Sequence, residues 1–175
     1  MADLYTIALD ASTKSTGVAI FKNKELIDYK CITQSSRDVL KRIKNMTDEI
    51  EKIFNTYKEE NVQVIMEQII PDNLKDMKEQ EWIKNQNTFK ALFYLQAAIV
   101  LMFHYYGKEV EFIGASTWRR NCGIKQGPGV RRDALKENDK QFVKNIYGIT
   151  VNDDIADSIC IGYSKVNEVK PFDWQ

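Results

Sequence analysis

Leu4–Ile20 reads LYTIALDASTKSTGVAI. Two apolar, β-capable runs, Leu4–Leu9 and Gly17–Phe21, flank a turn of small polar residues, Asp10–Thr16. That pattern predicts two buried strands joined by a short bend. The first strand ends on Asp10, and a carboxylate at the end of a buried strand needs a partner or a task. On its own the stretch fits either a turn that cradles phosphate or one corner of a metal site.

The chain continues the pattern outward. Lys22-Asn23-Lys24 marks a hairpin and Glu25–Thr33 (ELIDYKCIT) a third strand, which makes an antiparallel meander. Ser36 or Asp38 can cap a helix that runs to about Tyr57, with Ile43, Met46, Ile50 and Phe54 at helical spacing. Asn61–Ile70 (NVQVIMEQII) predicts a fourth strand, parallel to the first because a helix crosses between them. Asp72–Asn85 reads as a loop or weak helix, and Thr88–Tyr106 as a helix apolar on more than one face. Such a helix lies either in the centre of the core or against a second subunit. Val110–Ile113 predicts a fifth strand. Gly114–Thr117 leads into a basic helical turn capped by Ser116 or Thr117. Val130–Tyr147 is a polar helix with a thin apolar stripe (Leu135, Phe142, Val143, Ile146), and Asn152 or Asp153 caps a last helix near residues 154–167. The order implies an α/β fold: one domain over residues 1–175, with a mixed five-stranded sheet, its first three strands antiparallel, and helices on its faces.

Composition narrows the chemistry. The chain has 175 residues, 43% of them hydrophobic and 29% charged, with zero formal net charge. No apolar run is expected to reach the ~20 residues of a membrane helix, so no membrane partner is expected. The first residues lack the pattern of a secretory signal. The odd, scattered cysteines (Cys31, Cys122, Cys160) fit reduced thiols and a cytoplasmic location. A single histidine, His104, excludes a multi-histidine zinc site, so any bound metal would be held by oxygen. Trp118–Lys144 carries eight basic residues, Arg119, Arg120, Lys125, Arg131, Arg132, Lys136, Lys140 and Lys144, against three acids, Asp133, Glu137 and Asp139. A basic block on a neutral chain suggests a face turned to a polyanion, although a solvated helix with i,i+4 pairs looks the same.

The acids that interrupt apolar patterns are the candidate site. Asp10 ends one strand and Glu67 interrupts VIMEQII in another. Adjacent parallel strands would bring the two side by side. Asp154 and Asp157, three apart, share one face of the last helix, where acids are also favoured by the helix dipole alone. Four carboxylates that meet without an intervening cation would raise one another's pKa. A divalent ion resolves the repulsion, and oxygen ligation suits Mg²⁺ or Mn²⁺.

DASTKSTGVAI, VIMEQ, GASTWRR…GI and DDIADSICIG, in that order, resemble the RuvC-like Holliday junction resolvases of the RNase H-like superfamily, phage-type members above all. The resemblance implies an RNase H-like fold. It also implies a Mg²⁺- or Mn²⁺-dependent endonuclease, with two ions per site, that nicks four-way and other branched DNA in pairs as a homodimer, in recombination, repair or phage DNA processing. It makes Asp10, Glu67, Asp154 and Asp157 metal ligands and catalytic, with Asp153 as an alternative to Asp154, and Lys140 an active-site lysine. Arg119, Arg120, Lys125, Arg131, Arg132, Lys136 and Lys140 are the expected DNA contacts. The bacterial members carry an aromatic residue shortly after the glutamate. Here Ile69 and Ile70 stand there, and Trp82 is the candidate to stack on DNA in its place. If the chain is phage-encoded, the location becomes the host cytoplasm. Two other readings remain open: an actin-like or sugar-kinase-type ATP-binding fragment, and a non-catalytic junction-binding module.

Overall fold

The structure is a computed structural model that describes residues 2–69, 79–127 and 129–168, with the backbone alone for residues 79–84. The strands β1 (Leu4–Asp10), β2 (Ser15–Lys22), β3 (Glu25–Thr33), β4 (Asn61–Glu67) and β5 (Val110–Ile113) form one mixed sheet in the order β3-β2-β1-β4-β5. The meander β1–β2–β3 is antiparallel, and β4 joins β1 in parallel with Leu9 opposite Met66. This is the expected sheet, with β4 ending at Glu67 rather than running to Ile70.

Strand alternation sorts the side chains into two cores. Ile7, Leu9, Val18 and Ile20 face helices α1 (Val39–Tyr57) and α2 (Glu79–Tyr105). Asp38 caps α1 by accepting from the amides of Leu40 (2.8 Å) and Lys41 (3.1 Å). Below it Ile43, Met46, Ile50 and Phe54 are buried at helical spacing, with Phe54 edge-on to Phe103 at 5.3 Å. On the opposite face, Ala8, Ala19, Phe21 and Ile65 meet α3 (Ala115–Asn121), α4 (Arg132–Tyr147) and α5 (Asp153–Val166).

Small residues set how closely α5 approaches. Ala8 and Ala19 lie beneath it. A Cβ at Gly17 would collide with the carbonyl oxygen of Asp154, and one at Gly162 with the Phe21 ring. Asn152, rather than Asp153, caps α5 by accepting from the Ile155 amide at 2.9 Å. The first turn of α5 is thereby fixed against the β1–β2 turn.

Three expectations are corrected. Helix α2 begins at Glu79, not Thr88, because EQEWIKN consists largely of good helix formers; residues 72–78 of the predicted loop lie outside the described residues. Helix α3 is capped by the Gly114 backbone, and neither Ser116 nor Thr117 caps it. Asn85–Tyr105 is long and apolar enough to cross a membrane by length and composition, which the expectation of no such run missed. That helix is not central. It gives Leu95, Ile99 and Phe103 to the core and leaves Tyr94, Leu101 and Tyr105 exposed at 57, 67 and 83%.

The contact at Gly17 has a direct test. Gly17→Ala overpacks the β2–α5 contact and should destabilise the protein by about 2–3 kcal/mol, measured by urea unfolding. Unchanged stability would mean that α5 does not sit this close.

Candidate active site

The two strand ends and the first turn of α5 converge on a cleft of about 890 Å³. Asp10, Glu67, Asp154 and Asp157 all line it. Asp10 and Glu67 arrive by strand register: Leu9 pairs with Met66, so the next residue on each strand carries its carboxylate to the same end of the sheet. Asp154 and Asp157 arrive through the close packing of α5.

Each acid is held differently. Glu67 Oε2 accepts from Trp118 Nε1 at 2.8 Å, and the backbone oxygen of Glu67 accepts from Gln96 Nε2 at 2.8 Å. Asp154 Oδ2 accepts a short hydrogen bond from Ser15 Oγ, with Cys31 Sγ 3.9 Å away. Asp157 Oδ2 lies 3.9 Å from the Arg119 guanidinium, and Asp157 Oδ1 is buried without a hydrogen-bond partner. Burial, and then the negative charges of Glu67 and Asp154, push Asp10 up to about 8. Burial, and then the charges of Asp10 and Asp139, push Asp157 up to about 9, with Arg119 opposing. Burial raises Glu67 as well, against the hydrogen bond from Trp118.

Among the described residues, no three acidic, histidine or cysteine side chains are already gathered as a ligand set. The donors nevertheless suit a hard divalent cation. They are all oxygens, they repel one another, and one buried carboxylate oxygen has no partner. Asp10, Glu67, Asp154 and Asp157 are the residues that could hold one. Asp153, the alternative to Asp154, does not line the cleft. It turns to α4 and pairs with Lys136 at 2.7 Å and Lys140 at 3.3 Å, which hold its carboxyl below the usual range.

The expected DNA contacts divide into groups. Arg132 and Lys136 line the cleft. Arg119 lines it too, but its fork grips Asp139 through Nε at 3.0 and 3.2 Å and Nη2 at 2.9 Å, and it stacks on Trp118 at 4.1 Å. Lys140 lies off the cleft wall, paired with Glu137 at 3.0 Å and Asp153, so the α4 lysine that lines the cleft is Lys136, one turn earlier. Arg120 borders a shallower groove with Ser116, Gly123 and Gln126, and Lys125 and Arg131 are exposed nearby. The side chain of Trp82 lies outside the described residues.

Two features escaped the sequence reading. Lys14 and Arg42 stand on the cleft wall contributed by the β1–β2 turn and α1, so basic groups come from more than the 118–144 block. Asp139 is fully buried and sits behind Arg119. Its position four residues from both Leu135 and Val143, on the apolar stripe of α4, was the available clue.

The raised acids set a pH dependence. A folded-state pKa above the unfolded value means that the native protein binds the proton more tightly. The contribution of Asp10 and Asp157 is therefore fully present below about pH 4 and lost as pH rises toward about 8 to 9. Asp157→Asn removes part of that loss. Without metal, its melting temperature should gain on wild type between about pH 5 and pH 8, and a constant gap across that range would contradict the assignment.

No family model matches the sequence, and no curated protein matches it. Solved structures do. The RuvC of Thermus thermophilus in complex with a Holliday junction substrate superposes with a TM-score of 0.67 at 12% identity, covering 92% of this chain and 91% of that one. A second Thermus thermophilus RuvC structure gives 0.64 at 10% identity, with 91% and 92% covered. At such identities the likeness speaks for the fold, and it extends over nearly the whole of both chains. The chain has the RuvC-type, RNase H-like fold.

Proposed function

We propose that the protein is a Mg²⁺-dependent endonuclease that resolves four-way DNA junctions by paired nicks, acting as a homodimer. The observation that carries this reading is the cleft itself: four acids from three separate segments meet there, with Arg132 and Lys136 on the same walls. Asp10, Glu67, Asp154 and Asp157 would bind the cation, one or two per site. Bound Mg²⁺, or Mn²⁺ in its place, would supply activation of the attacking water and charge stabilisation at the leaving oxygen. Lys136 and Arg132 would draw in the scissile phosphate and offset its developing charge. Arg120, Lys125 and Arg131 lie further out, where contacts orient the duplex without reading its sequence. Cleavage would leave a 5′-phosphate and a 3′-hydroxyl.

The exposed stripe Tyr94, Leu101 and Tyr105 on α2, at i, i+7 and i+11, supports the dimer, since large apolar groups in one line favour a partner surface. The three thiols are free, which suits a reducing cytoplasm, that of the host if the gene is carried by a phage.

A labelled four-way junction, a linear duplex and a flap, each incubated with Mg²⁺, Mn²⁺ or EDTA, test the reading. Symmetric nicks on the junction, abolished by EDTA, are expected. No cleavage of any substrate with either ion would sink it. Asp10→Asn and Glu67→Gln should lower cleavage by ~100-fold or more while junction binding persists. That binding should weaken steeply with added salt. Leu101→Asp combined with Tyr105→Asp should convert a dimer into a monomer in sedimentation; a wild type that is monomeric even on junction DNA would remove the dimer from the proposal.

A further inference from the structure

Asp139 and Arg119 form the most thoroughly bonded ion pair among the described side chains, and neither belongs to the four-acid set. Asp139 has no exposed surface, and the Arg119 side chain is 13% exposed. The pair makes three hydrogen bonds, at 2.9, 3.0 and 3.2 Å. A buried ion pair is seldom more stabilising than two apolar residues of the same volume. On α4 the pair occupies a position that Leu135 and Val143 bracket on the buried stripe. Stability alone therefore accounts poorly for it, and its location suggests a task.

That location is the back of the cleft. The guanidinium is fixed between three groups. Asp139 takes it at Nε and Nη2, the Trp118 ring lies against it at 4.1 Å, and the same Nη2 stands 3.9 Å from Asp157 Oδ2, an ion pair too long for a hydrogen bond, with the Asp139 carboxyl also close to Asp157. Trp118 in turn donates to Glu67. An arginine free to move a further ångström would bond Asp157 directly. It would then neutralise the carboxylate whose other oxygen has no partner. A cation bound there by the protein's own arginine competes with a cation from solution.

We infer that Asp139 is a positioning residue: its two-pronged grip holds Arg119 back from Asp157 and so keeps that carboxylate open to a divalent ion. This rests on the metal-dependent reading above and adds to it a residue outside the cleft lining. Loss of the grip should close the ion site from within and leave the rest of the cleft intact.

The test measures ion binding rather than turnover. Mn²⁺ binding to the DNA-free protein is followed by electron paramagnetic resonance, with thermal melting to verify folding. Asp139→Asn should weaken Mn²⁺ binding tenfold or more, because the freed guanidinium reaches Asp157. Asp139→Asn with Arg119→Gln should recover binding to within about threefold of wild type, because the competing charge is gone. If Asp139→Asn fails to fold, Arg119→Lys against Arg119→Gln carries the same comparison. Lysine cannot make the forked grip yet keeps its charge, so it should bind Mn²⁺ markedly more weakly than glutamine does. Equal binding by these two, a folded Asp139→Asn that binds like wild type, or a double variant as weak as the single one would each overturn the inference. A wild type that binds no Mn²⁺ at all would instead overturn the metal reading on which it rests.

Discussion

The parallel pairing of β1 with β4 is the constraint on which the site depends. With Leu9 opposite Met66, both strands reach their last residue at the same level, and both last residues are acids. Two carboxylates side by side at the rim of a sheet are unfavourable without compensation. Much of the surrounding structure can be understood as that compensation. Trp118 donates to Glu67, Arg119 and Lys136 bring positive charge close to Asp10, and Ser15 donates to Asp154. Burial, and after it the repulsion left uncompensated, raises Asp10 and Asp157 far above the ordinary carboxylate range.

The second requirement is proximity, and small side chains provide it. Ala8, Ala19, Gly17 and Gly162 remove the bulk that would separate α5 from the sheet. A sheet face of larger residues would bury more apolar area against the helix, but it would lift Asp154 and Asp157 away from Asp10. Ile7, Leu9, Val18 and Ile20 fill the side toward α1 and α2, where no acid has to be delivered and bulk is free to serve packing alone.

How much of this was legible in the sequence follows from the same physics. The sheet could be read because its strands are short apolar runs with clear turns. Asp10 and Glu67 could be read because a charge inside such a run has no cheap explanation. The acids of α5 were harder, since helix starts attract acids for their own reasons. There the chain alone left both open, and packing is what puts Asp154 on the cleft wall while Lys136 and Lys140 draw Asp153 away from it. Asp139 was hidden in KENDKQ, where a buried acid and a solvated one have the same neighbours in the chain. Lys14 and Arg42 were missed for a related reason, because their position on the cleft wall is set by the packing of the β1–β2 turn and α1 around it. The start of α2 was misjudged because its first turns are polar, so apolar periodicity gave no help and helix propensity decided.

Helix α2 joins two parts of the molecule that are otherwise far apart in the chain. Its outer side carries the exposed Tyr94, Leu101 and Tyr105, while Gln96 on its inner side bonds the backbone oxygen of Glu67. The end of β4 is thus fastened to a helix whose opposite flank faces outward, so whatever packs on that flank packs on the same element that fixes the carbonyl of Glu67.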